Sequence, residues 1–366
     1  MNLARLLAAP IRLAAAGAAC LALLAAGRAD AGNAVLSKDG TLYEVFVTTY
    51  GNVVSGASAA DSTLPVVALR TTPPGGAPSA EIVSGTVDAY DKYGESIEFD
   101  ESTQTVFVVY SRQMGFFGDM HVAIRRDGWF EGRFIPNPGL YVSMNARLVV
   151  TRQSYLDLDA NGLPVTKSRS ILSVVWWEES SASQARYAAI FIEDGALILD
   201  DVVPYNLNEM AGFSGATDAR GLPASSYMYP AVQRDASSNG GVFVSYANLA
   251  TRTQQVLRLG FPDDFTKTGN TTTTTPTGRT TNARHTPIGR GFGESPLPTR
   301  IDLPFNQAVN TMISPAGMPT FWWTKGGNLA YLRGDSVPKP EVVVPLRPDF
   351  PLDRALAVVR DMTEKN

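Results

Sequence analysis

The run Ile171 to Glu178, ILSVVWWE, is the feature that most constrains this chain, because shorter versions of it recur along the sequence. They lie at Val45–Tyr50, Val106–Ser111, Val242–Ala247 and Thr320–Thr324. Each is a short β-branched or aromatic run that closes on or near Tyr or Trp, the composition of a strand with a buried face. Taking Phe46, Phe107, Val174, Phe243 and Phe321 as equivalent, the steps are 61, 67, 69 and 78 residues. A second strand follows the aromatic-ended one in each unit. Self-similarity at a near-constant spacing is the mark of a repeated supersecondary unit.

Turn signals punctuate the units. Thr71–Ala80 is loop by its paired Pro and Gly, and Asp127-Gly128, Asp159–Gly162 and Asp194-Gly195 supply tight turns. Three units share a strand, a polar turn and a strand: Asp100–Thr103, Asp235–Asn239 and Ser314–Gly317. With 32 Gly, 24 Pro and 18% charged residues, the balance is that of a turn-rich all-β protein. Three or four strands per unit, wound radially, make a propeller blade. The expected fold is a single β-propeller of five blades, with six or seven smaller blades, or two β-sandwich domains divided near residue 205, as alternatives. Only Leu352–Met362 has helical spacing.

Tyr229–Tyr246, YPAVQRDASSNGGVFVSY, resembles the lead-in of blades in secreted sialidase-like β-propellers, and Ser37–Thr41 is a truncated approximation of their Asp-box. The resemblance implies the propeller fold. It carries over no active site, because the family's catalytic arginines and tyrosine match no positions here.

The N-terminus reads as a secretory signal. Arg5 and Arg12 precede the apolar stretch Leu13–Ala26, and Ala29-Asp30-Ala31 offers a small-residue cleavage site. The expected organisation is a signal peptide over 1–31, a propeller over 32–350 interrupted by an insertion at 262–300, and a helix or tail over 351–366. The expected location is the periplasm or the extracellular space. The apolar run is shorter than the ~20 residues needed to span a bilayer, so no membrane span is expected in the mature chain. Cys20, the one cysteine, falls inside the signal, which leaves no disulfide or thiolate chemistry. Cleavage would leave 28 basic against 34 acidic residues, a balance that argues against nucleic acid as partner.

Asp157, Asp159 and Asn161 place oxygen donors at alternate positions before Gly162, the pattern of a short calcium loop. Ser168 and Val165 stand where a closing acid would be, so a plain hairpin turn is the preferred reading, and no other cofactor is expected. Trp176, Trp177, Trp322 and Trp323 are candidates for a sugar-binding platform, with core packing as the competing role. Glycoside hydrolysis would need two converging carboxylates, for which Glu178 and Asp235 are the candidates. The insertion, Thr-rich with Arg279, Arg284, Arg290 and Arg300, is expected to be either a solvated loop or a docking arm for an acidic partner. With two histidines and only an incomplete nucleophile elbow at Gly212–Gly215, triad chemistry has little material. The functional expectation is an exported, non-catalytic propeller binding a protein or glycan partner. The alternative is a carbohydrate-active hydrolase.

Overall fold

The computed structural model describes residues 34–83, 85–114, 117–126, 129–135, 142–179, 184–210, 227–235, 237–248, 253–267, 271–274, 280–296, 310–313, 319–325, 328–333 and 342–347. The signal segment, Gly212–Gly215 and the expected C-terminal helix lie outside them. The described chain is nearly all β, with antiparallel sheets and two single-turn helices at Tyr50–Val53 and Leu207–Met210.

Five antiparallel meanders follow one another in chain order. The first sheet holds β1 (Ala34–Leu36), β2 (Leu42–Thr49), β3 (Pro65–Thr72) and β4 (Ser79–Ile82). The second holds β5 (Asp91–Asp100), β6 (Thr105–Met114), β7 (Phe117–Arg125) and β8 (Trp129–Ile135). The third holds β9 (Val142–Leu158), β10 (Pro164–Glu179), β11 (Gln184–Glu193) and β12 (Ala196–Ile198), with β13 (Tyr205–Asn206) also pairing β11. In the fourth, β14 (Tyr227–Arg234), β15 (Val242–Asn248) and β16 (Thr253–Gly260) are followed by a ribbon of β17 (Thr272–Thr274) and β18 (Thr280–Asn282) before β19 (Ile288–Pro296) completes the sheet. The fifth holds β20 (Asn310–Ile313), β21 (Pro319–Lys325), β22 (Asn328–Arg333) and β23 (Val342–Val344).

The five residues aligned in the sequence, Phe46, Phe107, Val174, Phe243 and Phe321, all fall on the second strand of a sheet. Neighbouring sheets pack in sequence, and the first strands β1, β5, β9, β14 and β20 adjoin one another in that order. A shared irregularity marks the first strands of the second, third and fourth sheets. At Tyr93/Ser96, Met144/Arg147 and Met228/Ala231 the first strand advances three residues while the second advances two. Such bulges bend a strand and raise its twist. Pro230 sits in one of them, where a missing N–H costs no ladder bond.

The core explains why ILSVVWWE is apolar without alternation. Leu172, Val174 and Trp176 pack with Phe107, Val109, Met120 and Val122 of the second sheet. The intervening Ile171 and Val175 pack with Val242, Val244, Leu257 and Leu259 of the fourth. Side chains on a strand alternate between faces, so a strand covered on both sides must be apolar at every position. The second sheet repeats the pattern. Phe107 and Val109 face the third sheet, while Val106, Val108 and Tyr110 face Val67 and Leu69 of the first.

Candidate functional site

The site is built from the turns that join first strands to second strands. In four of the five sheets that turn contains an aspartate doing the same work. Asp39, Asp100, Asp159 and Asp235 each accept the backbone N–H of the residue two positions on, Thr41, Ser102, Asn161 and Ser237, at 2.8 to 3.0 Å. This is the Asx-turn, in which a short carboxylate replaces a backbone acceptor. The equivalent turn of the fifth sheet lies outside the described residues.

All four carboxyls are held below the usual aspartate range. The Ser37 hydroxyl and the Thr41 N–H do this for Asp39, and the Leu163 and Asn161 N–H groups do it for Asp159. Burial pushes Asp100 and Asp235 upward. For Asp100 the opposing bonds from Ser102, Thr103 and Ser170 outweigh it, and for Asp235 those from Ser237 and Arg258 do. A carboxylate held ionised in this way is a turn anchor and a poor proton donor.

Three of these turns and the strand β9 enclose a cleft of about 590 Å³. Its walls come from Leu36 and Lys38, from Glu98 to Ser102, from Val150 to Arg152, and from Arg234 to Gly241. Glu98 pairs with the Arg234 guanidinium, whose Nε also donates to the Val150 carbonyl at 2.7 Å. Burial raises the Glu98 carboxyl above its ordinary value, and Arg234 pulls it only partly back. Lys38 contributes its backbone N–H to Glu101 and its side chain to solvent. Arg152 is exposed and has no acidic partner among the described residues. Glu98, Arg234 and Arg152 were not legible as a site, because they lie on three separate first strands with no shared motif.

At the third sheet the same hairpin is lengthened. β10 meets β11 only from Ser170 onward, so residues 152–158 and 164–169 stand out as a two-stranded ribbon. The segment after β16 braces its rear face. Gln153 donates to the carbonyls of Phe261 and Pro262, Tyr155 packs edge-on against Phe265, and Leu156 exchanges backbone bonds with Asp263 and Phe265.

Arg169, 1% exposed, is the centre of that brace. It donates to Gln153 Oε1 at 2.8 Å, Glu193 Oε1 at 2.9 Å and the Arg284 carbonyl at 2.8 Å. His285 lies between Asp201, 2.7 Å from Nδ1, and Glu193, 3.3 Å from Nε2. Burial pushes Glu193 upward, but His285 and Arg169 outweigh it and hold its carboxyl at about 2. Part of the insertion is therefore docked on the third sheet through Arg284 and His285, while its β19 completes the fourth. Its Arg284 is spent within the molecule, on Asp157.

The same pairing involves the Asp157–Gly162 turn, for which a calcium loop and a plain hairpin are the competing readings. Asp157 accepts from both terminal nitrogens of Arg284 at 2.8 and 3.1 Å and from Lys167 at 2.9 Å. Arg284 and Lys167 hold its carboxyl well below the usual range against the cost of burial. Asp159 caps the hairpin, and Asn161 enters through its backbone N–H. Among the described residues no group of three or more His, Cys, Asp or Glu side chains is placed to hold a metal ion.

The tryptophans of the third sheet require a correction. Trp176 and Trp177 are 0% and 2% exposed, facing opposite sides of a strand covered on both, so neither ring has a face to offer a sugar. Trp322 and Trp323 lie on β21, but their side chains fall outside the described residues. The two candidate carboxylates do not converge on one cleft: Asp235 lines it and Glu178 does not. Glu178 is paired with Arg186 at 3.2 Å, and Asp235 with Arg258 at 2.5 Å. No helix among the described residues is long and apolar enough to cross a membrane.

No family model matches the chain, and no curated protein matches it. Among solved structures it has a weak resemblance to a Hadza microbial sialidase, Hz136, with a TM-score of 0.41 and 10% identity. The match covers 86% of this chain and 58% of that one, so the chain spans under two thirds of that protein's length.

Proposed function

We propose that this is an exported five-bladed β-propeller that binds a protein or glycan partner in the cleft between its first-to-second-strand turns. The five meanders and the successive contact of their first strands support the ring, with residues 1–31 as the export signal and 32–350 as the propeller. The observation that carries the binding reading is how the cleft's charges are used. Asp100 and Asp235 are consumed by turns, Glu98 by Arg234, and Glu101 accepts the Lys38 N–H, while Arg152 faces the cleft without an acidic partner among the described residues. Such a surface offers recognition and lacks the matched acid and base of a hydrolase.

One observation favours a second reading. Glu98, raised by burial inside a cleft, has the character of a proton donor and would serve a carbohydrate-active hydrolase. A glycan array and a chromogenic-glycoside screen on residues 32–366 separate the two. Binding without turnover, weakened about tenfold by Arg152→Ala, fits the loss of one charged contact in a binding module. Turnover abolished by Glu98→Gln replaces that reading with the hydrolase.

A further inference from the structure

One ion pair in the cleft joins three sheets. Glu98 of β5 meets the Arg234 guanidinium of β14, and Arg234 Nε donates to the Val150 carbonyl of β9 at 2.7 Å. The two partners are unequally covered. The Glu98 side chain is 18% exposed and that of Arg234 53%. A carboxylate so enclosed needs a countercharge or a proton, whereas a guanidinium so open is solvated with or without a partner.

We infer that Glu98 is a proton-operated competitor for Arg234: when Glu98 takes up a proton, the guanidinium is released to the cleft, and the binding face is gated by acid. The inference rests on the binding-module reading above and names its regulation.

Three observations carry it. First, the release is local. Arg234 keeps its Nε bond to the Val150 carbonyl when the Glu98 bond weakens, so the guanidinium stays in the cleft with its terminal nitrogens free. A hydrogen bond to a neutral carboxyl is about half as strong as one to a carboxylate. Second, Glu98 is placed to take the proton ahead of Asp100 and Asp235. Those two are held ionised by bonds from Ser102, Thr103 and Ser170 and from Ser237 and Arg258 respectively. Burial raises the Glu98 carboxyl, Asp100 on the same strand adds to the rise, and Arg234 and the Phe99 N–H draw it only partly back. Its value in the fold thus lies above that in the unfolded chain, so protonation as pH falls favours the fold and the gate opens in the native state. Third, the charge of the cleft is poised. Its walls hold Glu98, Asp100, Glu101 and Asp235 against Lys38, Arg152 and Arg234, so one proton brings the lining from net negative to balance. Two guanidiniums, those of Arg152 and Arg234, are then without an acidic partner among the described residues.

The test needs no ligand. NMR of the purified protein carrying isotope-labelled glutamate and arginine follows the side-chain carboxyl carbons and guanidinium nitrogens from neutral to mildly acidic pH. Glu98→Gln and Arg234→Met assign the two sets of signals. Glu98 should take up its proton at a higher pH than the exposed glutamates, and the terminal nitrogens of Arg234 should change over the same interval. In Glu98→Gln those nitrogens should show the released state at every pH, and Arg234→Met should raise the Glu98 midpoint further, since the opposing cation is gone. Protonation of Glu98 together with or below the exposed glutamates overturns the proposal. So do Arg234 signals that stay constant through the Glu98 transition, or that remain in Glu98→Gln as they are in the parent at neutral pH. An empty glycan array counts against the binding reading and not against this gate, which the titration decides by itself.

Discussion

Arg169→Met should loosen the third and fourth sheets together. The substitution keeps much of the aliphatic stem and removes the guanidinium. It strands three buried or half-buried acceptors: Gln153 Oε1, Glu193 Oε1 and the Arg284 carbonyl. It also removes cationic contacts over the rings of Tyr155, Phe191 and Phe265. Breaking a buried ion pair by deleting one partner costs about 3–5 kcal/mol, because the other is left uncompensated. Glu193 keeps His285, which places the expected loss near the middle, at about 4 kcal/mol. Unfolding entropies of about 2.1 cal/mol/K per residue give about 0.6 kcal/mol/K for a domain of about 300 residues. The melting temperature should therefore fall by roughly 6 °C in a calorimetric scan. Native-state hydrogen exchange should localise the loss, with the amides of Leu156, Phe265 and Ala283 losing protection first. Arg169→Lys should lose less, since one ammonium retains the charge but not the fork. A melting temperature for Arg169→Met within about 1 °C of the parent would refute the argument.

Two further outcomes follow from the same geometry. Glu193 is held at about 2, below the value it has in an unfolded chain, so its contribution is present above the unfolded value. That contribution disappears as pH falls from about 4.5 toward 2. The stake is at most about 3 kcal/mol, read as a steeper acid loss of stability than in Glu193→Gln, and parallel curves would reject it. Gly240 has φ +80°, and an added Cβ would lie 2.8 Å from the Cβ of Gln153 and 3.1 Å from the Arg152 carbonyl. Gly240→Ala should cost about 2–3 kcal/mol in urea unfolding, against about 1 kcal/mol for Gly56→Ala, which shares the backbone strain but has open space around it.

The repeat was legible because its signal is local. Aromatic-ended second strands and Asp-containing turns each need only a few adjacent residues, and Phe46, Phe107, Val174, Phe243 and Phe321 could be aligned by spacing alone. The Asp194-Gly195 turn was legible for the same reason, and both residues take positive φ, 50° and 77°. What failed to show was everything set by a partner far along the chain. Trp176 and Trp177 read as surface or core until the sheets on either side are in place. Arg169, embedded in KSRS, resembles an ordinary exposed strand residue, and nothing near it announces an acceptor on Arg284. The insertion's composition left a solvated loop and a docking arm as its two readings because Thr, Gly and Arg dominate loops. The residues that tether it, Phe265, Arg284 and His285 among them, are scattered along its length. The cleft charges were hidden for a further reason: an acid that anchors a turn and an acid that protonates a substrate look alike in one sequence.

The detour between β16 and β19 also has a consequence for the order of assembly. Every other sheet can close from neighbouring hairpins as the chain lengthens. The fourth cannot, because its last strand arrives only after a segment that finds its bonds on Gln153, Asp157, Arg169 and Glu193 of the third. Completing that hairpin means closing a long loop, and such closure is slow unless intermediate contacts shorten it. The third sheet supplies those contacts and is made first during synthesis. Its long hairpin is thus a template, and hydrogen exchange should show the third and fourth sheets opening together.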